Sequence, residues 1–116
     1  MREFQSSEPI SREEWSDALG SGDSQRIASG LVRLAFCDHN GAFVETQCLA
    51  LLADQNQDLR RVAVTCLGHV ARIHREFSNA SVPSLLRGLI SDPAVSEQAQ
   101  DALDDVAVFL GKSRNT

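Results

Sequence analysis

The chain has 116 residues, 42% hydrophobic and 23% charged, with eleven basic against sixteen acidic side chains for a net charge of −5. That length suits a single domain with a modest core. The acidic balance repels phosphate, which argues against nonspecific nucleic-acid or anionic-membrane binding and favours a basic protein partner.

Residues 1–10 are polar, contain Pro9 and read as a flexible arm. A single domain is expected over 11–112, followed by a short tail at 113–116. Ser11 and Glu14 have capping-box spacing, after which Trp15, Ala18 and Leu19 share a face until Gly20 and Gly22 end the helix. Asp23 or Ser24 caps a second helix with an Ile27, Leu31, Leu34 and Ala35 stripe. Val32 and Phe36 lie off that stripe, which predicts a helix covered on more than one side. A third helix, about 42–53, turns Phe43 or Val44, Cys48, Leu51 and Leu52 inward.

The fourth helix, 58–77, carries the clearest pattern: Leu59, Val62, Ala63, Cys66, Leu67, Val70, Ile73, His74 and Phe77 fall on one stripe at 3.6 residues per turn. Ser81 is expected to cap a fifth helix with Pro83 in its first turn. Asp92-Pro93 is expected to start a sixth, and Gly111 and Lys112 to end it. A shift of about 36 residues carries Leu59 onto Val95, Ala63 onto Ala99, Cys66 onto Ala102, Leu67 onto Leu103 and Val70 onto Val106, a period of helical repeats. The expected fold is therefore all-α, an α-solenoid of about three antiparallel helix pairs.

No segment approaches the roughly 20 apolar residues that span a bilayer, and the start, MREFQSSEPI, lacks a signal-peptide apolar run, so a cytoplasmic location is expected. Cys37, Cys48 and Cys66 are odd in number without a close pair, which fits reduced core residues better than disulfides.

The run Asp58-Leu59-Arg60-Arg61-Val62-Ala63, followed by Cys66-Leu67-Gly68, resembles the second helix of a HEAT repeat, and Asp92-Pro93-Ala94-Val95 with Ala99, Ala102 and Leu103 resembles the next one. With Trp15, Ala18 and Leu19, the segment 66–74 and the segment 101–106, the chain looks like the small HEAT-like immunity proteins of bacterial polymorphic toxin and contact-dependent growth inhibition systems. The resemblance implies a protein that binds and neutralises a cognate toxin domain, often a nuclease, as a monomer in a 1:1 complex and without catalysis. General HEAT scaffolding is the first alternative. A HEAT-like lyase or nucleic-acid-acting enzyme is the second, and the 5% aromatic content disfavours nucleic-acid action.

Opposite its apolar stripe the fourth helix carries Arg61, Thr65, Gly68, Arg72 and Arg75. The same shift carries Arg61 onto Glu97, Thr65 onto Asp101 and Gly68 onto Asp104, with Asp105 at the flank. Side by side, these faces would make a wall with a basic strip next to an acidic one, able to meet a partner of both charges. The bland alternative is mutual neutralisation by exposed salt bridges worth about 0–1 kcal/mol each. The expected partner-binding set is Arg61, Arg72, Arg75, Glu97, Asp101, Asp104 and Asp105, with Trp15 included because tryptophan is common at binding hot spots. Trp15 also reads as core. Gly68 is expected to permit a close neighbour.

His39, His69 and His74 read as structural or solvated. Cys66 and His69 could share an ion but lack a third and fourth ligand, so no metal is expected. Neither a catalytic constellation nor a phosphate-cradling loop is present to nominate an active site or a cofactor.

Overall fold

A computed structural model describes residues 8–110. Six helices, α1 (Arg12–Ser21), α2 (Ser24–Cys37), α3 (Gly41–Leu51), α4 (Gln57–His74), α5 (Val82–Leu89) and α6 (Ser96–Phe109), follow one another with short connections and no strand among the described residues.

Local chemistry starts most of these helices. Ser11 Oγ accepts from the Glu14 amide at 3.0 Å while the Ser11 amide donates to Glu14 Oε1 at 2.9 Å, a closed capping box. Asp23, Asn40 and Asn56 cap α2, α3 and α4 by accepting backbone N–H bonds that the first helical turn cannot satisfy itself. The last two helices start differently from expectation. Ser81 has helical backbone angles and its side chain makes no cap bond; Asn79 Oδ1 instead accepts from the Ser81 amide at 2.8 Å. Asp92-Pro93 forms a turn ahead of α6, which begins only at Ser96, because Asp92 Oδ1 accepts from the Ala94 amide while Oδ2 pairs with Arg60 of α4. Gly111 and Lys112, expected at the end of α6, lie outside the described residues, as do 113–116.

The segment 8–10 is docked against the helices, unlike the arm expected there. Arg33 donates to the carbonyls of Glu8 at 3.0 Å and Pro9 at 2.6 Å, and Ile10 packs against the core. The rest of the expected arm, residues 1–7, lies outside the described residues.

The core runs through all six helices, with Leu31, Leu34, Val44, Leu67, Val70 and Leu86 fully buried. Each such side chain contributes about 1.5–3 kcal/mol by leaving water. Cys48 and Cys66 are buried free thiols inside it. The Cys48 S–H donates to the neighbouring Cys66 sulfur, and that bond, with burial after it, pushes the Cys48 thiol well above its ordinary range, so it stays protonated.

Helices α2, α4 and α6 pack in a row, α2 against α4 and α4 against α6, while α1, α3 and α5 lie against α2, α4 and α6 respectively. Helix α4 is thus enclosed on several sides. Val64 and Ala71, off its sequence stripe, are fully buried. Ile73, on the stripe, is 43% exposed, because α2 ends at Cys37 and leaves the last turn of α4 without that neighbour. Phe36 is likewise 44% exposed, not covered.

Several polar ties between distant segments share nearly one spacing. Trp15 Nε1 donates to Gln47 Oε1, Glu45 accepts from the Ser78 and Asn79 amides, Arg60 pairs with Asp92, and Arg61 Nε donates to the Ala94 carbonyl, all 32 to 34 residues apart. The spacing is shorter than the 36-residue shift in the apolar pattern. The shift equates residues on the same face, whereas contacts join the facing flanks of neighbouring helices.

Glu45 has no counterpart in the sequence reading. It is 2% exposed, and its two carboxylate oxygens each accept a backbone N–H at 2.8 Å, fixing the link between α4 and α5. A charged acceptor shared by two otherwise orphaned amides makes its burial tolerable.

Candidate partner-binding surface

The α4–α6 boundary is set by small residues. A methyl group at Gly68 would lie 3.2 Å from Ala102 Cα and 2.9 Å from Asp105 Oδ2, so glycine and alanine let the two backbones approach. That proximity places Asp105 at the seam, half-buried, rather than on the open acidic face. Glu97, Asp101 and Asp104 are exposed, and their spacing puts them on one stripe of α6 together with Val108. Gln100 donates to Asp104 Oδ1 at 3.3 Å.

The basic residues divide. Arg61 is half-buried and engaged: beyond its bond to the Ala94 carbonyl, its Nη1 pairs with Asp58 at 2.7 Å and its Nη2 reaches Gln57 at 3.4 Å. It fastens the α6 approach to α4. Arg75 ends α4 in the left-handed conformation, φ 61°, and its guanidinium lies 5.2 Å from the centre of the Phe109 ring. Arg72 Nη2 lies 2.6 Å from His69 Nδ1. Among the described residues no ion pair joins these arginines to the acids of α6, so the two strips do not neutralise each other.

Trp15 does not belong to the surface. It is 2% exposed, with its indole N–H satisfied by Gln47 at 2.9 Å and its ring against Gly30. Its bulk is spent holding α1 on α2 and tying α1 to α3, which corrects its inclusion in the binding set.

One feature of the wall escaped the sequence reading. The Phe36 ring stacks on His69 with centroids 4.6 Å apart and planes tilted by 39°. Burial first, and the Arg72 charge second, lower the His69 pKa, while Asp105 pulls it the other way. The off-stripe position of Phe36 was the available signal.

Two cavities lie elsewhere. One of about 540 Å³ opens between α1 and α2 beside Glu14, Asp17, Asp23, Arg26 and Arg33. The other, about 470 Å³, is lined by His39, Gly41, His74, Glu76 and Ser78, where His74 Nε2 is buried without a hydrogen-bond partner. No three His, Cys, Asp or Glu side chains among the described residues are grouped to hold a metal.

No protein-family model matches the sequence, and no curated protein does. Among solved structures, the chain superposes on one from the crystal structure of a CDI complex from Cupriavidus taiwanensis LMG 19424 with a TM-score of 0.85 and 30% identity, covering 97% of this chain and 99% of that one. The chain belongs to that CDI protein family. The superposition extends over the whole six-helix body, so the α2–α4–α6 row lies within the fold the two chains share. No helix among its described residues is long and apolar enough to cross a membrane.

Proposed function

We infer that the chain is an immunity protein that binds a cognate toxin domain and neutralises it by occupying its surface, without catalysis. The observation that carries this reading is the near full-length likeness to a chain of a CDI complex. The net charge of −5 supports the immunity role over the toxin role wherever the toxin cleaves nucleic acid, because an acidic chain repels a phosphate substrate and suits the basic groove that holds one.

The row of second helices, tied at a spacing of 32 to 34 residues, supports reading the body as a HEAT-like stack of three antiparallel pairs whose second helices form the binding wall. On that wall Glu97, Asp101 and Asp104 act as a polyanion facing a basic toxin groove, with Asp105 at their edge. Arg72 and Arg75 meet acidic groups beside that groove, and Arg61 contributes as the fastening of α6. The toxin is a nuclease, the complex forms 1:1 from monomers in the cytoplasm, and occupancy of the groove excludes the RNA or DNA substrate.

Co-expression with the toxin domain encoded beside the chain is the direct test. Rescue of growth and a co-purifying complex are expected; cell death without a complex defeats the reading. At residue level, Asp101→Lys combined with Asp104→Lys weakens toxin binding at least tenfold by calorimetry while the thermal midpoint moves little, since both side chains are exposed. Unchanged affinity removes the acidic stripe from the interface.

A further inference from the structure

Three observations converge where α2 meets α4. Phe36, 44% exposed at the last turn of α2, is stacked on His69, and Ile73, one helical turn beyond His69 on α4, is 43% exposed. Two large apolar side chains thus flank one imidazole at the surface. Arg72 lies on the same patch, three residues from His69, with Nη2 at 2.6 Å from His69 Nδ1. A guanidinium only donates, so Nδ1 accepts and the imidazole is the neutral tautomer protonated at Nε2.

This arrangement orients the arginine before any partner arrives. One of five guanidinium N–H groups is spent on the imidazole, and no carboxylate among the described residues pairs with the others. Holding the fork in place reduces the side-chain ordering that binding would otherwise cost, and a flat guanidinium bordered by apolar rims is matched by a carboxylate that docks edge-on. Aromatic and arginine side chains at the centre of a patch are the usual seat of binding energy, provided neighbouring contacts exclude water.

We propose that Phe36, His69, Arg72 and Ile73 anchor the toxin domain, and that the anchor takes an aspartate or glutamate side chain of the toxin. The carboxylate pairs with the free N–H groups of Arg72 while apolar atoms beside it cover Phe36 and Ile73. His69 is a positioning residue: it fixes Arg72 and backs Phe36. The proposal rests on the immunity reading and adds an orientation to it. The toxin presents an acidic residue toward the α2–α4 seam and its basic groove toward Asp101 and Asp104 on α6.

Calorimetry of the full chain against the toxin domain tests this with Phe36→Ala, Arg72→Gln and Arg72→Glu, each checked for folding by circular dichroism, and Arg87→Ala on α5 as a control. Phe36→Ala and Arg72→Gln are each expected to weaken binding about thirtyfold, the ratio corresponding to a hot-spot loss of about 2 kcal/mol. Arg72→Glu is expected to weaken it at least tenfold further, because like charges then meet, and Arg87→Ala to leave it unchanged. Wild-type binding with both Phe36→Ala and Arg72→Gln within twofold of it overturns the anchor. Binding by Arg72→Glu no weaker than by Arg72→Gln overturns the carboxylate. Absence of binding by the wild type overturns the immunity reading and the anchor with it.

Discussion

Gly68 on α4 and Asp105 on α6 approach so closely that a methyl group at position 68 would sit 2.9 Å from the Asp105 carboxylate. The carboxylate end can swing aside at little cost, but Ala102 Cα at 3.2 Å belongs to the α6 backbone and cannot. Closeness at this one point sets the spacing of the α4–α6 wall, and it explains why a residue poor at making helices stands mid-helix.

Gly68→Ala therefore sets two effects against each other. Alanine gains up to about 1 kcal/mol of helix propensity. Crowding a packed helix boundary costs about 1–3 kcal/mol. Urea unfolding is expected to show a net loss of about 1 kcal/mol, and Gly68→Leu a larger loss as α6 is levered away. A stabilised Gly68→Ala variant would show that α6 yields freely.

Glu45→Ala leaves the Ser78 and Asn79 amides without their acceptor and opens a void inside the fold. The expected loss is about 3 kcal/mol, from unsatisfied buried donors and lost packing together. Glu45→Gln keeps the volume and one good acceptor, so its loss should be about half as large. Equal losses for the two variants in chemical denaturation would mean that volume does not matter at this site.

Arg75 holds a left-handed helix cap that glycine would adopt without strain. Arg75→Gly should raise stability by about 0.5 kcal/mol, roughly 1 kcal/mol of relieved strain less about 0.5 kcal/mol of cation–π contact with Phe109. The same variant should bind the toxin domain less tightly. A gain in thermal midpoint with unaltered affinity would remove Arg75 from the interface.

His69 supplies a pH dependence with a definite sign. Burial and Arg72 lower its folded-state pKa against the partial opposition of Asp105, so the unfolded chain takes up this proton first. The stability is present above the ordinary histidine range and is lost as pH falls through that range toward the folded value. Urea midpoints measured between about pH 7.5 and pH 5 should fall for the wild type, and fall less steeply for His69→Gln. Parallel slopes would assign the dependence to other groups.

Part of this molecule was legible in its sequence. The 3.6-residue stripes, the Ser11–Glu14 capping box and Asp23 as a cap are local properties, and each reappears in the helices. The acidic stripe of Glu97, Asp101 and Asp104 was equally readable, because helical spacing alone gathers it. Trp15 was readable only as an alternative between core and surface, and the choice depended on Gln47, 32 residues away, receiving its indole N–H.

What the sequence determined by itself was which residues share a face of their own helix, since that follows from backbone geometry. Tertiary structure alone decided which faces meet. It spent Arg61 on the Ala94 carbonyl, buried Glu45 beneath the α4–α5 link, drew Asp105 to the Gly68 seam and stacked Phe36 on His69. Each of these joins residues 33 to 37 positions apart, across neighbouring helices or the turns between them, and such contacts depend on how closely two helices pack, which small residues such as Gly68 and Ala102 control.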